Sequence, residues 1–260
     1  MRAHRWRIAL MGPVDTWEQI REPVELRTSE YLGQITLDIG RTYPTEHWFD
    51  PHRQTLVSLL NTFASVNVGI GYIQGMNYLI FPLWKVYYDS APEWAKEDTL
   101  ASMQSIMHMT LRTYPTYVSD SRPTSYLKTL AGVIRLRCIT VCPGLNVLFD
   151  TNYEPFIISI ISSVIPTLFA SVLNLSHTLV LWDQFFSAGS KRKTFNRAVD
   201  TLVCLLVHHK NLFIHLEVCT AMDVFHRLTQ QTLDQYVVRK TIEVFSPDVR
   251  VRPQTTAATA

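Results

Sequence analysis

Apolar residues recur at helical spacing along almost the whole chain, and the stretches between them carry turn-forming residues. From about 51 to 66, Leu56, Val57, Leu59, Leu60 and Phe63 make one wide apolar face, the pattern of a helix with one side against a core. Asp50 followed by Pro51 predicts an N-cap and a first-turn proline at its start. A second helix is predicted from about Gln74 to Tyr88. Met76, Tyr78, Leu79, Ile80, Phe81, Leu83 and Trp84 make it apolar nearly all round, so it should be buried on several sides. Further helical patterns cover about 93–113, 123–137, 154–173, 176–188, 193–208, 211–228 and 230–245. Pro92, Pro115, Cys142-Pro143-Gly144 and Ser187-Ala188-Gly189-Ser190 mark the turns between them.

The fold class that follows is all-α. Nine glycines, with no Asn-Gly or Asp-Gly pair, argue against a hairpin-rich β fold. The 260 residues suffice for one large domain. Two helical halves are expected within it, about 1–118 and 119–250, divided in the loop near Pro115 to Pro123, with a flexible tail over 251–260. The most apolar stretch, 138–186, carries only Asp150, Glu154 and Asp183 as formal charges and should form the core of the second half.

One stretch could be mistaken for a membrane span, since no charge falls between Pro155 and Trp182. Pro166 interrupts it, five serines and Asn174 dilute it, and the flanks are acidic, Glu154 and Asp183, where basic anchors would be expected. Two core helices broken near Pro166 fit better.

Composition narrows the function classes. A net charge of +2 and no basic stripe with interleaved aromatics argue against nucleic acid as a partner. The tight basic cluster Lys191-Arg192-Lys193 reads as a solvated loop. Cys138, Cys142, Cys204 and Cys219 form no Cys-x-x-Cys pair, which fits a reducing, cytosolic setting. The apolar run Ile8 to Met11 is too short for a signal peptide. His215 and Cys219 are four apart, with His208, His209 and His226 nearby in sequence. Zinc sites use closer-knit ligand sets than this, so no metal is expected.

Three short segments carry more polarity than a helical core requires. In Ile35-Thr36-Leu37-Asp38-Ile39-Gly40-Arg41-Thr42-Tyr43-Pro44, Asp38 and Arg41 can pair on one turn. Gly40 and Pro44 should end the helix there and leave Arg41 at an exposed edge. Taken alone, an ordinary helix-end ion pair is the simpler reading. In Gly69-Ile70-Gly71-Tyr72-Ile73-Gln74-Gly75-Met76-Asn77, three glycines precede an apolar helix and suit close backbone approach by another molecule. No Gly-Lys-Ser/Thr follows, so this is not a phosphate loop. Taken alone it reads as a tight helix–helix turn. In Leu179 to Gly189, Trp182 is expected as a core or interface anchor, with Asp183 accepting from backbone or a tryptophan N–H.

Together these segments resemble the TBC family of Rab GTPase-activating proteins. Ile35, Asp38 and Arg41 match the family's Ile-x-x-Asp-x-x-Arg motif, followed by the frequent Thr-x-Pro of Thr42 and Pro44. Tyr72, Gln74, Gly75 and Met76 match its Tyr-x-Gln-Gly-Met motif, and Leu179, Trp182, Asp183 and Gly189 match its Trp-Asp landmark. Trp6 sits where the family often has a tryptophan near the domain start. The resemblance spans about residues 5 to 245, and Val180 departs from it where a basic residue is common.

The resemblance implies an all-helical domain with a groove for a Rab-family small GTPase in its GTP form. Arg41 would supply an arginine finger and Gln74 a glutamine finger, positioned by Asp38 and Tyr72. Thr42, Gly75, Met76 and Asn77 would lie at the partner surface. No cofactor of its own is implied, because GTP and Mg²⁺ arrive on the GTPase, and no reaction independent of that partner is implied. The location expected is cytoplasmic, with peripheral attachment to endomembranes through partners. The nearest alternative is a catalytically silent TBC-type adaptor that binds a Rab without accelerating hydrolysis.

Overall fold

The computed structural model describes residues 1–13, 25–111, 123–149 and 154–210. Among them are nine α-helices, three short 3-10 helices and no strand. The α-helices are α1 (Arg2–Met11), α2 (Leu32–Arg41), α3 (Arg53–Val66), α4 (Met76–Tyr88), α5 (Ala95–Leu111), α6 (Pro123–Val141), α7 (Glu154–Val164), α8 (Leu175–Phe186) and α9 (Lys191–His208).

Helix α4 is the centre of the packing. Leu79, Ile80, Phe81, Leu83, Trp84, Val86 and Tyr87 are all buried, and the helix touches α1, α2, α3, α5 and α8. Its apolarity on every side is explained by neighbours on every side. Burying such side chains stabilises by about 1.5–3 kcal/mol each, so this helix contributes heavily to the driving force for collapse.

The ends of the helices follow local chemistry, with informative departures from the sequence expectation. Asp50 does not cap α3. Pro51 lies inside a 3-10 turn, His47–His52, and α3 begins after it with His52 at the N-cap position and no side-chain cap. The Asp50 carboxylate is drawn instead to Arg53 Nε and His47 Nδ1, both at 3.2 Å. Helix α4 starts at Met76 rather than Gln74, because Gly75 takes a left-handed conformation, φ 110, that a helix cannot absorb. The stretch 154–173 is helical only as far as Val164. Pro166 has no N–H for the helix ladder and disfavours helical geometry at Ile165, and the chain turns from there to Leu173. Helix α6 runs four residues past its expected end, to Val141, and stops just before Cys142-Pro143.

Lys191, Arg192 and Lys193 are solvent-exposed but are not a loop. They form the first turn of α9, whose N-cap Ser190 accepts from the Lys193 backbone N–H. No helix among the described residues is long and apolar enough to cross a membrane. The expected divide near 115–123, the helical patterns over 211–228 and 230–245, the tail, and His215, Cys219 and His226 lie wholly or mostly outside the described residues.

Helix α1 is fixed by charge as well as by apolar contact. Trp6 is fully buried, with its ring 5.5 Å from Trp182 and 5.1 Å from Phe186 of α8. Its indole Nε1 donates to Asp183 Oδ1 at 3.0 Å, and Arg2 Nε reaches both oxygens of that carboxylate. Arg7 crosses to α5, with Nε and Nη2 each 2.7 Å from Asp98 Oδ2 in a pair that excludes water. Removing one partner from a buried pair leaves a charge that water cannot reach. Asp98→Ala should therefore lower unfolding free energy by about 3–5 kcal/mol, measured as a reduced urea midpoint with an unchanged slope.

Candidate functional site

The site is built where the end of α2 meets the loop before α4. The α2 stripe Ile35, Asp38 and Ile39 faces inward, so the spacing that buries two isoleucines also buries a carboxylate. Asp38 is 2% exposed. Arg41, one turn on and last in the helix, is the opposite: 62% of its side chain is exposed while Nη2 stays 2.5 Å from Asp38 Oδ1. As a contribution to stability such a half-exposed pair is worth about 0–1 kcal/mol. Its effect is orientation, because a guanidinium gripped at one edge presents the other edge outward.

Tyr72 supplies the second donor to the same carboxylate. Its buried hydroxyl donates to Asp38 Oδ2 at 2.6 Å, across 34 residues. Burial first, and then the Asp38 carboxylate, push the Tyr72 phenol well above its ordinary pKa, so it remains a donor at every physiological pH. A second link runs parallel to the first. The Gly75 N–H donates to Asn77 Oδ1 at 3.0 Å, Asn77 Nδ2 donates to Thr42 Oγ1 at 2.7 Å, and that hydroxyl donates to the Asp38 carbonyl at 2.6 Å. The two links bracket Gln74, which is exposed between Tyr72 and Gly75.

Gly71 and Gly75 of this loop are closely approached from within the chain. A Cβ on Gly71, at φ 62, would lie 2.8 Å from the Tyr31 hydroxyl, and one on Gly75 would lie 3.0 Å from Thr167 Cγ2. Thr167 belongs to the turns after α7, where Leu168 (φ 47) and Phe169 (φ 68) are both left-handed. The same segment meets the arginine side, since the Tyr43 hydroxyl donates to the Ala170 carbonyl at 3.3 Å. Trp182 Nε1 donates to the Leu168 carbonyl at 2.8 Å. The Trp-Asp pair thus has two jobs in the fold: Trp182 pins the strained segment, and Asp183 receives α1.

Of the residues singled out in the sequence, Arg41 and Gln74 are on the surface, while Asp38 and Tyr72 are buried and joined to each other. Thr42, Met76 and Asn77 were expected at a partner surface, yet each is at most 2% exposed. Their side chains are turned inward, where Thr42 and Asn77 form the second link and Met76 Sδ accepts from the Ile73 N–H. Gly75 is buried against Thr167. Arg53, Tyr31, Thr167 and Tyr43 are part of the site without having stood out in the sequence. Asp50 to Arg53 at i,i+3 was the only local signal for any of them, and it does not say where the guanidinium goes. Among the described residues no group of His, Cys, Asp and Glu could hold a metal ion.

The chain belongs to the Rab-GTPase-TBC domain family, whose model matches residues 13–214. That membership indicates a function of Rab-GAP type with a Rab GTPase as partner. No curated protein matches the chain.

The loop geometry can be tested without a partner. Gly75→Ala places a Cβ against Thr167 on a left-handed backbone and should cost about 1–3 kcal/mol. Tyr72→Phe, which leaves one oxygen of a buried carboxylate without its donor, should also cost about 1–3 kcal/mol. Chemical denaturation of the two variants measures both.

Proposed function

We propose that this chain accelerates GTP hydrolysis by a Rab-family small GTPase, with Arg41 and Gln74 completing the partner's active site. The observation that carries the reading is the shared carboxylate: Asp38 holds Arg41 from one side and Tyr72 from the other. An exposed arginine and an exposed glutamine are thereby fixed on two chain segments joined beneath the surface. A pairing of that kind needs a reason beyond stability, since the surface half of it contributes little.

As the β–γ bond of GTP breaks, negative charge must be stabilised on the phosphoryl oxygens. An always-charged planar guanidinium does this well once water is excluded by the docked partner. Such a finger is worth about 10³–10⁵ in rate, or roughly 4–7 kcal/mol of barrier. The side-chain carbonyl of Gln74 can accept a hydrogen bond from the attacking water while its NH₂ donates one to phosphate, holding the water in line. The nucleotide and its Mg²⁺ belong to the GTPase, and this chain contributes no reaction of its own. Action at a membrane would then follow from attachment through the partner.

A phosphate-release assay with purified protein and a panel of GTP-loaded Rabs tests the reading. Arg41→Ala should lower the stimulated rate about 10³-fold, and Gln74→Ala about 10²-fold, each with binding of the GTP form retained. Full activity in Arg41→Ala would sink the mechanism. GTP-dependent binding by the wild-type protein without faster hydrolysis would identify an adaptor instead.

A further inference from the structure

Arg53, the first residue of α3, sends its guanidinium to the end of α2 instead of out to solvent. Nη1 donates to the carbonyls of Ile39 at 2.7 Å and Thr42 at 3.0 Å, Nη2 donates to the carbonyl of Tyr43 at 3.2 Å, and Nε donates to Asp50 Oδ1 at 3.2 Å. The group lies over Phe81, with Cζ 5.6 Å from the ring centroid. The Ile39 and Tyr43 carbonyls also accept backbone N–H groups, from Thr42 at 3.4 Å and Glu46 at 3.1 Å, and a rigid fork of five N–H donors suits several spaced carbonyls at once.

The three carbonyls sit on both sides of Arg41, so the fork fixes the peptide planes before and after it. The last of them belongs to Tyr43, whose φ of 46 is costly for a bulky side chain. Tyr43 is also held by edge-on contacts with Tyr78 and Phe81. Asp38 can orient the Arg41 side chain only if the backbone bearing it is itself held, and Arg53 supplies that hold.

We infer that Arg53 is a positioning residue for Arg41, setting the backbone from which the arginine reaches the partner's nucleotide without touching the nucleotide itself. The inference rests on the activity proposed above and extends it to a residue outside both sequence motifs. Arg53→Met keeps the stem and removes every donor. Arg53→Lys keeps the charge but gathers its donors on one atom, which cannot serve three spaced carbonyls equally.

Kinetics of phosphate release across a range of GTP-loaded Rab concentrations, together with amide hydrogen exchange of the unbound protein well below its melting temperature, test this. Arg53→Met should lower kcat about 10²-fold with KM within about three-fold of wild type. It should also raise exchange over residues 40–46 while the middle of α3 stays protected. Arg53→Lys should recover part of both. Wild-type kcat in Arg53→Met beside an active wild-type protein would overturn the inference alone, as would an effect confined to KM or exchange that rises evenly through α2 and α3. A wild-type protein that accelerates no Rab would overturn both the activity and the role of Arg53.

Discussion

A carboxylate shut away from water has to be met by donors, and at Asp38 the two donors come from different places. Arg41 is one turn away on the same helix, whereas Tyr72 arrives from the far side of α3. The burial of Asp38 converts a local ion pair into a tertiary joint. The magnitudes show which part matters. The pair with an exposed arginine is weak on its own, but a buried carboxylate deprived of a donor costs about 1–3 kcal/mol. Tyr72 cannot leave without that penalty, and while it stays, the segment carrying Gln74 is tied to the segment carrying Arg41.

The rest of the structure builds outward from that joint. Thr42 and Asn77 tie the same two segments a second time, Arg53 holds the end of α2 from α3, and the turns after α7 press on both segments through Thr167 and Ala170. Backbone strain gathers in this region, at Tyr43, Leu168 and Phe169. Conformations of that kind cost about 1–3 kcal/mol each and persist only where surrounding contacts over-determine them. Here the contacts can be named: Trp182 Nε1 on the Leu168 carbonyl, Tyr43 Oη on the Ala170 carbonyl, and Arg53 on the Tyr43 carbonyl.

Much of this could be read from the sequence where the governing interactions are local. Helical periodicity located α3 to α9 but not α1, the three-residue spacing of Asp38 and Arg41 gave their ion pair, and Pro166 broke the apolar stretch near where it was expected to. The reading failed where partners are distant in the chain. Asp50 looks like a cap until Arg53 and His47 compete for it. Gly71 and Gly75 looked open to another molecule because nothing in their neighbourhood names Tyr31 or Thr167. Thr42 and Asn77 sit in motifs that suggest a surface, and only the packing of α4 against α2 turns them inward. Lys191 to Lys193 looked like a solvated loop because they form a tight run of like charges, yet Ser190 starts the helix ahead of them.

Helix α1 ends at Met11, just before the first residue of the family match, yet it is among the most firmly held parts of the described structure. A fragment trimmed to the matched span would strip from Asp98 and Asp183 the arginines that meet them and uncover Trp182 and Phe186. Trp182 in turn anchors the strained turns beside Gly75. The matched span therefore leaves out a helix that the described core includes, and a fragment trimmed to it would begin with its core open on the side that supports the site.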